Sequence, residues 1–274
     1  MRNIFQRIDS GHLSLDHAAA LIEESLSDAG YDVARQVFEV RDIPCANLVV
    51  EITGSAKPDE IVVVGAHYDS VSTTPGADDN ASGVAVLLAL ARALADQPLE
   101  RTLKLVAFAN EEPPFFQSEE MGSWVYAQRA KQRNDEIVAM LSIESVGYFV
   151  DEPESQQYPF PFSLFYPSTG DFIAFVGNLG SVSLVRDCTR VFRSTGQLSS
   201  EGAAVPGWIP GVGWSDHWAF WKAGFDAVMV TDTAPFRNPN YHLEGDTPDT
   251  LDYERMARLT NGLDQVVRHL TLAR

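Results

Sequence analysis

Apolar residues recur along this chain at two periods, one typical of helices and the other typical of strands. Over residues 15–29 they follow the helical spacing and Gly30 ends the pattern, which predicts a covering helix within residues 1–30. The same spacing predicts further helices over residues 82–96, 119–132, 179–193, 216–224 and 253–270.

Between the predicted helices lie short runs rich in Val, Ile and Leu. Residues 61–64 are apolar at every position, as in a strand that is buried on both faces. Strands are predicted over residues 33–40, 47–53, 60–66, 102–109, 137–143 and 227–231, with a short apolar run over 172–176. Because strands alternate with helices, we predict an α/β fold with a mixed, mostly parallel central sheet sandwiched between helices.

Two stretches interrupt this alternation. Residues 151–170 are rich in Pro, Ser and Tyr, and residues 202–214 are rich in Gly, Pro and Trp. Neither stretch has a clear period, which is typical of long surface loops. We expect both loops to lie near a site, and Trp208 in the second loop is a candidate for the floor of a side-chain pocket.

Composition and charge narrow the class of protein. The chain has 274 residues, of which 45% are hydrophobic and 21% charged, so we expect residues 1–274 to form one folded domain. The formal net charge of −18 repels phosphate backbones and anionic lipids. Nucleic acids and membranes are therefore not expected as partners.

No segment of the sequence predicts insertion into a membrane or export. The longest apolar stretch, residues 84–95, is interrupted by Arg92 and is shorter than the roughly 20 residues that span a bilayer. Residues 1–9 lack the apolar segment and cleavage site of a signal peptide. We expect a cytoplasmic protein, or a secreted or periplasmic one if a leader has been removed.

Cysteine usage restricts the chemistry of any metal site. Cys45 and Cys188 are the only cysteines and belong to no CxxC pattern, so two buried free thiols are expected. A metal ion would have to be bound by histidines and carboxylates. These ligands suit zinc and also admit manganese or cobalt.

Acidic and histidine-containing clusters follow the predicted strands. They are His67-Tyr68-Asp69, Asp78-Asp79-Asn80, Glu111-Glu112, Glu144 and, after the strand that ends near residue 231, Tyr241-His242. In open α/β sheets, sites form outside the carboxyl ends of the strands, so these clusters are expected to converge. Two metal ions about 3.5 to 4 Å apart require a carboxylate that bridges them. The clusters contain enough ligands for such a pair, with one glutamate to spare.

With these clusters the chain resembles a known family, the co-catalytic dizinc exopeptidases related to aminopeptidase Y and to the secreted aminopeptidases of Streptomyces and Vibrio. The resemblance extends over about residues 45–260. It is carried by His67-x-Asp69, residues 75–83 (PGADDNASG), Asn110-Glu111-Glu112 with the later Gly122-Ser123, residues 142–148 (SIESVGY), Ser215-Asp216-His217, and Tyr241-His242 before residues 246–250 (DTPDT).

The resemblance implies two zinc ions and their ligands. His67, Asp79 and Glu144 correspond to the ligands of one ion, and Asp79, Glu112 and His242 to those of the other. Asp79 would bridge the two ions. Asp79 is chosen over Asp78 because the family places this ligand directly before Asn-Ala-Ser-Gly, and Asp78 is then its neighbour beside the site.

The resemblance also implies the catalytic groups. Glu111 corresponds to the general base, which takes a proton from the metal-bridging water and returns it to the leaving amine. Tyr241 corresponds to a hydroxyl that stabilises the tetrahedral oxyanion in some members. The implied activity is hydrolysis of the N-terminal peptide bond of a peptide with a free N-terminus.

Three further residues are expected to support the site without binding metal. Asp69 corresponds to a residue that accepts the ring N–H of His67 and fixes its tautomer. Asp216 and His217 have two interpretations. They either line the site or are only the N-cap and the first-turn residue of a helix.

The sequence departs from the family at two positions that concern the site. Residues 113–116 (PPFF) lengthen the loop after Glu111-Glu112, which is expected to narrow the pocket. Glu144 replaces the aspartate of many members, so its carboxylate has an arm that is one methylene longer.

Other functions remain open. The chain also resembles glutaminyl cyclases, which share the fold and much of the ligand set but use one zinc ion. A carboxypeptidase or an N-acyl amino acid deacylase would need a cation, such as Arg237 or Arg186, facing the metals. A silent interaction domain on a peptidase scaffold is the non-enzymatic alternative, although it would not need the ligand set or Glu111.

Overall fold

A computed structural model of the protein describes residues 15–273. The prediction for residues 1–9, and the first part of the covering region 1–30, lie outside this range. Within it, the chain forms one α/β domain with an eight-stranded sheet between two layers of helices.

The strands and helices alternate over most of the chain. The strands are β1 (Ala34–Val40), β2 (Ile43–Ile52), β3 (Lys57–His67), β4 (Arg101–Phe108), β5 (Glu136–Glu144), β6 (Phe172–Gly177), β7 (Ser199–Ala204) and β8 (Ala227–Thr231). The helices are α1 (Leu15–Asp28), α2 (Gly83–Leu94), α3 (Gly122–Arg133), α4 (Val182–Ser194), α5 (His217–Ala223), α6 (Ala234–Arg237) and α7 (Tyr253–Leu270).

The order of strands across the sheet is β1-β2-β4-β3-β5-β8-β6-β7. The four central strands β4, β3, β5 and β8 run parallel to one another. β1 and β2 add to one side as antiparallel strands. On the other side β6 is antiparallel to β8, and β7 is parallel to β6. The carboxyl ends of the four central strands therefore meet at one edge, as the sequence predicts for a site.

Successive side chains along each strand point to opposite faces of the sheet, so the core is divided between the two faces. On β3, Val62 and Val64 belong to the larger cluster with α1, α2, α4 and α7, whereas Ile61 and Val63 pack with α3 and α5. All four valine and isoleucine side chains are less than 9% exposed. The continuous apolar run in the sequence thus reflects a strand that is covered by helices on both sides.

Most predicted elements agree with the structure to within a few residues, and α7 agrees at both ends. One prediction is wrong, because residues 202–204, which were assigned to a loop, form the end of β7. This segment contains Gly202, Ala203 and Ala204, and small residues carry little strand signal on their own. It is a strand because it pairs in register with β6.

Two further observations concern residues 15–273. Cys45 and Cys188 are both free and buried. In this part of the chain, no helix combines the length and the apolar character needed to cross a membrane.

The packing of α7 on α4 depends on a glycine. Gly262 lies on the buried face of α7, where a Cβ atom would overlap the ring of Phe192 on α4. Phe192 is fully buried and packs at 5.3 Å, between ring centroids, on Phe175 of β6, so its ring has no room to move. The close approach of the two helices therefore requires a residue without a side chain at position 262.

We predict that Gly262→Ala destabilises the protein, although alanine favours helix formation by about 1 kcal/mol over glycine. Overpacking a rigid core costs about 1 to 3 kcal/mol, so the steric effect should prevail. Urea unfolding followed by circular dichroism measures the difference. The double variant Gly262→Ala/Phe192→Leu should recover part of the loss, and a more stable single variant would contradict the packing argument.

Candidate metal centre

The ends of the central strands position the candidate ligands. His67 is the last residue of β3 and Glu144 is the last residue of β5, its neighbour in the sheet. Glu111 and Glu112 follow the end of β4, on the other side of β3. Because these strands are parallel, all four side chains emerge at the same edge.

The five candidate ligands form two groups that share Asp79. His67, Asp79 and Glu144 form one group, and Asp79, Glu112 and His242 form the other. His67 Nε2 lies 3.2 Å from Asp79 Oδ1 and 3.1 Å from Glu144 Oε2. His242 Nε2 lies 3.0 Å from Asp79 Oδ2 and 3.4 Å from Glu112 Oε2. Asp79 thus presents one carboxylate oxygen to each group, as a bridging ligand must.

Glu111 belongs to neither group but lies next to both. Its Oε2 is 4.0 Å from His67 Nε2, and the residue is 5% exposed. A buried carboxylate beside the two ligand groups is free to exchange a proton with a reacting molecule. The structure therefore contains the spare glutamate that the sequence predicts.

Electrostatics show an excess of negative charge in the cluster. Burial, reinforced by neighbouring carboxylates, raises the pKa of Glu111 well above its ordinary value and that of Glu112 to about 8. Burial also opposes ionisation of Asp79, but the two histidines outweigh it and hold the pKa of Asp79 below its usual range. His242 responds in the opposite sense, since Asp79 and Glu112 overcome burial and raise its pKa to about 10.

The donor atoms fit a divalent metal ion. His67 Nε2, His242 Nε2 and Glu112 Oε1 are buried and make no hydrogen bond within the described part of the chain. Buried polar atoms are normally paired, so three such atoms facing the same acidic cluster indicate that a cation completes it. Imidazole nitrogens and carboxylate oxygens without a thiolate are ligands that suit zinc.

Asp69 has a wider role than the sequence predicts. His67 Nδ1 lies 3.1 Å from the carbonyl oxygen of Asp69 and 3.5 Å from its Oδ1, so the carbonyl is the nearer acceptor. The carboxylate of Asp69 instead accepts the backbone N–H groups of Glu111 and Glu112, each at 3.0 Å. Asp69 therefore fixes both glutamates relative to His67.

Residues that the sequence analysis did not assign hold the segment with Asp79 in place. Asp246 accepts the backbone N–H groups of Asp78 and Asp79, at 2.9 and 3.2 Å. Asn80 donates to the carbonyl of Ile143 and accepts the N–H of Ser145, which ties this segment to the end of β5. The only signal for Asp246 was its place in the motif of residues 246–250.

Asp78 lies beside the cluster and makes structural contacts. It accepts the backbone N–H of Gly147 at 2.8 Å and the side-chain N–H of Asn238 at 3.0 Å. Burial raises its pKa to about 6. Asp78 thus connects the segment that carries Asp79 with the segment that leads to His242.

Two hydroxyl groups orient Glu144. Ser145 Oγ donates to Glu144 Oε1 at 2.9 Å, and Ser215 Oγ donates to Oε2 at 2.8 Å. Each oxygen of the longer side chain is thereby fixed. Ser215 was named in a motif but not assigned a role in the sequence analysis.

Tyr241 lies between the cluster and an adjacent pocket. Its ring stacks on His242 with centroids 3.9 Å apart. Burial and then the nearby carboxylates, Asp79 first, raise the pKa of its hydroxyl above its ordinary value. The hydroxyl therefore stays protonated and can donate a hydrogen bond.

Asp216 and His217 are both fully buried at the start of α5. Burial raises the pKa of Asp216 to about 7, and this carboxyl adds to the negative field at Glu111. His217 donates from Nε2 to the carbonyl of Val212, at 2.8 Å, and packs edge-on against Trp221. Burial lowers its pKa to about 4, so His217 is a neutral packing residue.

An apolar pocket opens from the cluster over the β8-β6-β7 side of the sheet. Glu144 and Tyr241 border it at the cluster end. Its walls come from both predicted loops, with Tyr158, Phe162 and Tyr166 from residues 151–170, and residues 209–212 and Trp214 from residues 202–214. The pocket is partly open to solvent, and its lining is mainly aliphatic and aromatic, which suits one amino-acid side chain.

Two expectations about the pocket wall are wrong. Trp208 is 83% exposed and does not line the pocket, whereas Trp214 does. Residues 113–116 do not narrow the pocket either, because Phe115 packs under β1 and β2 with Phe38 and Val40. The longer loop is accommodated by this separate apolar cluster.

The cations considered for a carboxylate-binding site do not face the cluster. Arg237 is buried and donates to Gln156 Oε1 at 2.8 Å and to the carbonyl of Phe172 at 2.9 Å, while its guanidinium lies over the Phe172 ring. Arg186 is exposed on α4, which packs on the other face of the sheet from the pocket. Neither arginine therefore supplies a cation to the cluster or to the pocket lining.

Curated relatives of the chain include peptidases. The chain is 42% identical to the uncharacterized protein YfbL of Escherichia coli, over 91% of this chain and 79% of that protein. It is 26% identical to the probable aminopeptidase YDR415C of Saccharomyces cerevisiae, over 93% of this chain and 64% of that protein. The chain thus spans less than two thirds of the yeast relative.

Solved structures share the fold. BSAP, a zinc aminopeptidase from Bacillus subtilis, has 22% sequence identity and a TM-score of 0.66, over 85% of this chain and 52% of that chain. A glutaminyl cyclase from Porphyromonas gingivalis has 19% sequence identity and a TM-score of 0.70, over 97% of this chain and 92% of that chain. At these identities the likeness concerns the fold alone.

A family model identifies the chain more directly. It matches residues 47–267, which include the five candidate metal ligands and Glu111. These are also the residues that form the sheet edge, the two ligand groups and the pocket. The chain belongs to peptidase family M28.

Proposed function

We propose that the chain is an aminopeptidase that binds two zinc ions and hydrolyses the peptide bond next to a free N-terminus. The observation that carries this proposal is the position of Asp79, whose two carboxylate oxygens face two separate ligand groups. Membership of a peptidase family makes a peptide the expected substrate. The yeast relative is a probable aminopeptidase and the Bacillus protein is a zinc aminopeptidase, which agrees with this activity.

The residues of the chain divide the chemical work. When bound, zinc ions polarise the scissile carbonyl and lower the pKa of a coordinated water. Glu111 is placed to accept the proton of the attacking water and to return it to the leaving amine. Two cations next to Glu111 would offset the burial that raises its pKa and keep it able to accept a proton.

Substrate binding follows from the surroundings of the cluster. The acidic groups attract a protonated α-amino group, which favours the N-terminal residue of a peptide. The hydroxyl of Tyr241 borders both the cluster and the pocket, where it can donate to an oxyanion. The side chain of the N-terminal residue would occupy the pocket.

A glutaminyl cyclase is the second candidate, because structures of such enzymes share this fold over nearly the full chain. The two candidates differ in the number of metal ions and in the product. Both ligand groups are complete in this chain, which favours hydrolysis with two ions.

Glu111→Gln is predicted to lower kcat by about 10³-fold, since general acid–base catalysis contributes roughly 10² to 10⁴. Because Glu111 is in neither ligand group, the variant should keep both zinc ions. Hydrolysis of aminoacyl-nitroanilides and metal analysis of the purified protein measure the two quantities.

Glu119→Gln is the matched control, since Glu119 is an exposed carboxylate three residues before α3 on the same loop. This control should keep the activity. One zinc ion per chain and turnover of N-terminal glutamine peptides without hydrolysis would instead establish the cyclase.

Substitution of single ligands should change the zinc content in steps. Glu112→Gln affects one ligand group, so about one ion per chain should remain, whereas Asp79→Asn weakens both groups and should leave less. Zinc added after chelation should raise the Tm of the wild type, because a ligand at 100 times its Kd stabilises a protein by about 2.7 kcal/mol.

Metal analysis and thermal unfolding of the three proteins test this prediction. Equal zinc content in Glu112→Gln and Asp79→Asn would contradict a bridging role for Asp79.

A further inference from the structure

The floor of the pocket is a row of residues in register across the sheet. Glu144 on β5 pairs with Thr231 on β8, Thr231 pairs with Ala174 on β6, and Ala174 pairs with Glu201 on β7. Directly paired residues point to the same face, and all four line the pocket. The pocket thus has a candidate metal ligand at one end and a second carboxylate at the other.

Distance and surroundings separate the two ends. Neighbouring strands lie about 4.8 Å apart, so the three steps from β5 to β7 span about 14 Å. The residues between the ends are small, since Thr231 and Ala174 form the middle of the row. Rings of Tyr158, Phe162 and Trp214 enclose the space above them.

Glu201 is accessible to a molecule in the pocket. Its side chain is 29% exposed, and its Oε2 pairs with Arg193 Nη2 at 3.0 Å. Arg193 also donates two hydrogen bonds to the carbonyl of Ser200, so it is held at the outer edge of β7. A partly exposed ion pair contributes only about 0 to 1 kcal/mol, so Glu201 can exchange Arg193 for another cation at little cost.

We propose that Glu201 determines the specificity of this pocket by favouring substrates whose N-terminal residue is lysine or arginine. This inference rests on the proposed aminopeptidase function. The apolar stem of such a side chain fits the aromatic walls, while its charged end reaches the far carboxylate. The aromatic rings also favour a cation that passes over them.

The chemistry of the row distinguishes this substrate class from two others. A short side chain ends before Glu201 and gains nothing from it. A long apolar side chain fills the same space but makes no contact with the charge of Glu201, which stays paired with Arg193. Such a substrate is therefore bound, but Glu201 does not favour it. The net charge of −18 also favours cationic peptides over anionic ones during encounter.

The test compares two substrates that differ only in charge. Lysyl- and norleucyl-nitroanilide have the same four-carbon stem, so the ratio of their kcat/KM values reports the terminal ammonium. We expect the wild type to favour the lysyl substrate and Glu201→Gln to reduce the ratio about five- to tenfold. The norleucyl substrate is the reference within each protein, so a general loss of activity cancels in the ratio.

Arg193→Gln is the matched control because it breaks the same ion pair from the other side. With its competitor removed, Glu201 should bind the substrate cation better and the ratio should rise. If loss of the ion pair acted only by disturbing the edge strand, both variants would change the ratio in the same direction. That result, or an unchanged ratio in Glu201→Gln, would overturn the inference.

A binding measurement separates this inference from the proposed function. Calorimetry with lysinamide and norleucinamide reports occupancy of the pocket whether or not the protein hydrolyses peptides. Glu201-dependent preference for lysinamide in a protein that hydrolyses neither nitroanilide would refute the aminopeptidase and retain the pocket assignment. Hydrolysis of both nitroanilides without a charge preference would retain the aminopeptidase and refute the role of Glu201.

Discussion

The shared carboxylate of Asp79 is the constraint on which the rest of the site depends. It faces His67 on one side and His242 on the other, in a cluster whose buried carboxyls outnumber the imidazoles that can balance them. Such a cluster is stable only when cations or protons compensate its charge, because burying unpaired charge is costly. Asp246 accepts hydrogen bonds from the backbone of Asp78 and Asp79, and Asn80 accepts one from Ser145, so these bonds serve a geometric purpose. They hold a repulsive set of ligands at distances that suit metal ions.

The two halves of the sheet contribute different features to the site. The parallel strands β4, β3 and β5 bring charged strand ends together at one edge, where the ligands lie. The antiparallel pairing of β6 with β8 extends the sheet sideways beyond β8 and provides the floor of the pocket. The loops of residues 151–170 and 202–214 lie over this part of the sheet. Their aromatic side chains form the walls of the pocket above the floor. The candidate ligands and the pocket thus lie on separate parts of one sheet.

Solved structures with this fold carry different names. Aminopeptidase and glutaminyl cyclase structures both resemble the chain in fold. For the function proposed above, the ligand groups at the strand ends would set the number of metal ions, and the pocket would select the N-terminal residue. In this chain both ligand groups are complete, and the cations that would bind a substrate carboxylate are absent from the pocket lining among residues 15–273.

The sequence by itself determined the elements, the fold class and the candidate ligands, because periodicity and strand-end motifs are local signals. It predicted α7 to the residue, and it named His67, Asp79, Glu112, Glu144 and His242 through a family resemblance. Only the tertiary structure decided the contacts between distant segments. The carboxylate of Asp69 receives two backbone N–H groups, Trp208 lies outside the pocket, and Glu201 lies in register with Glu144. None of these follows from spacing along the chain, because strand order and register set which distant residues meet.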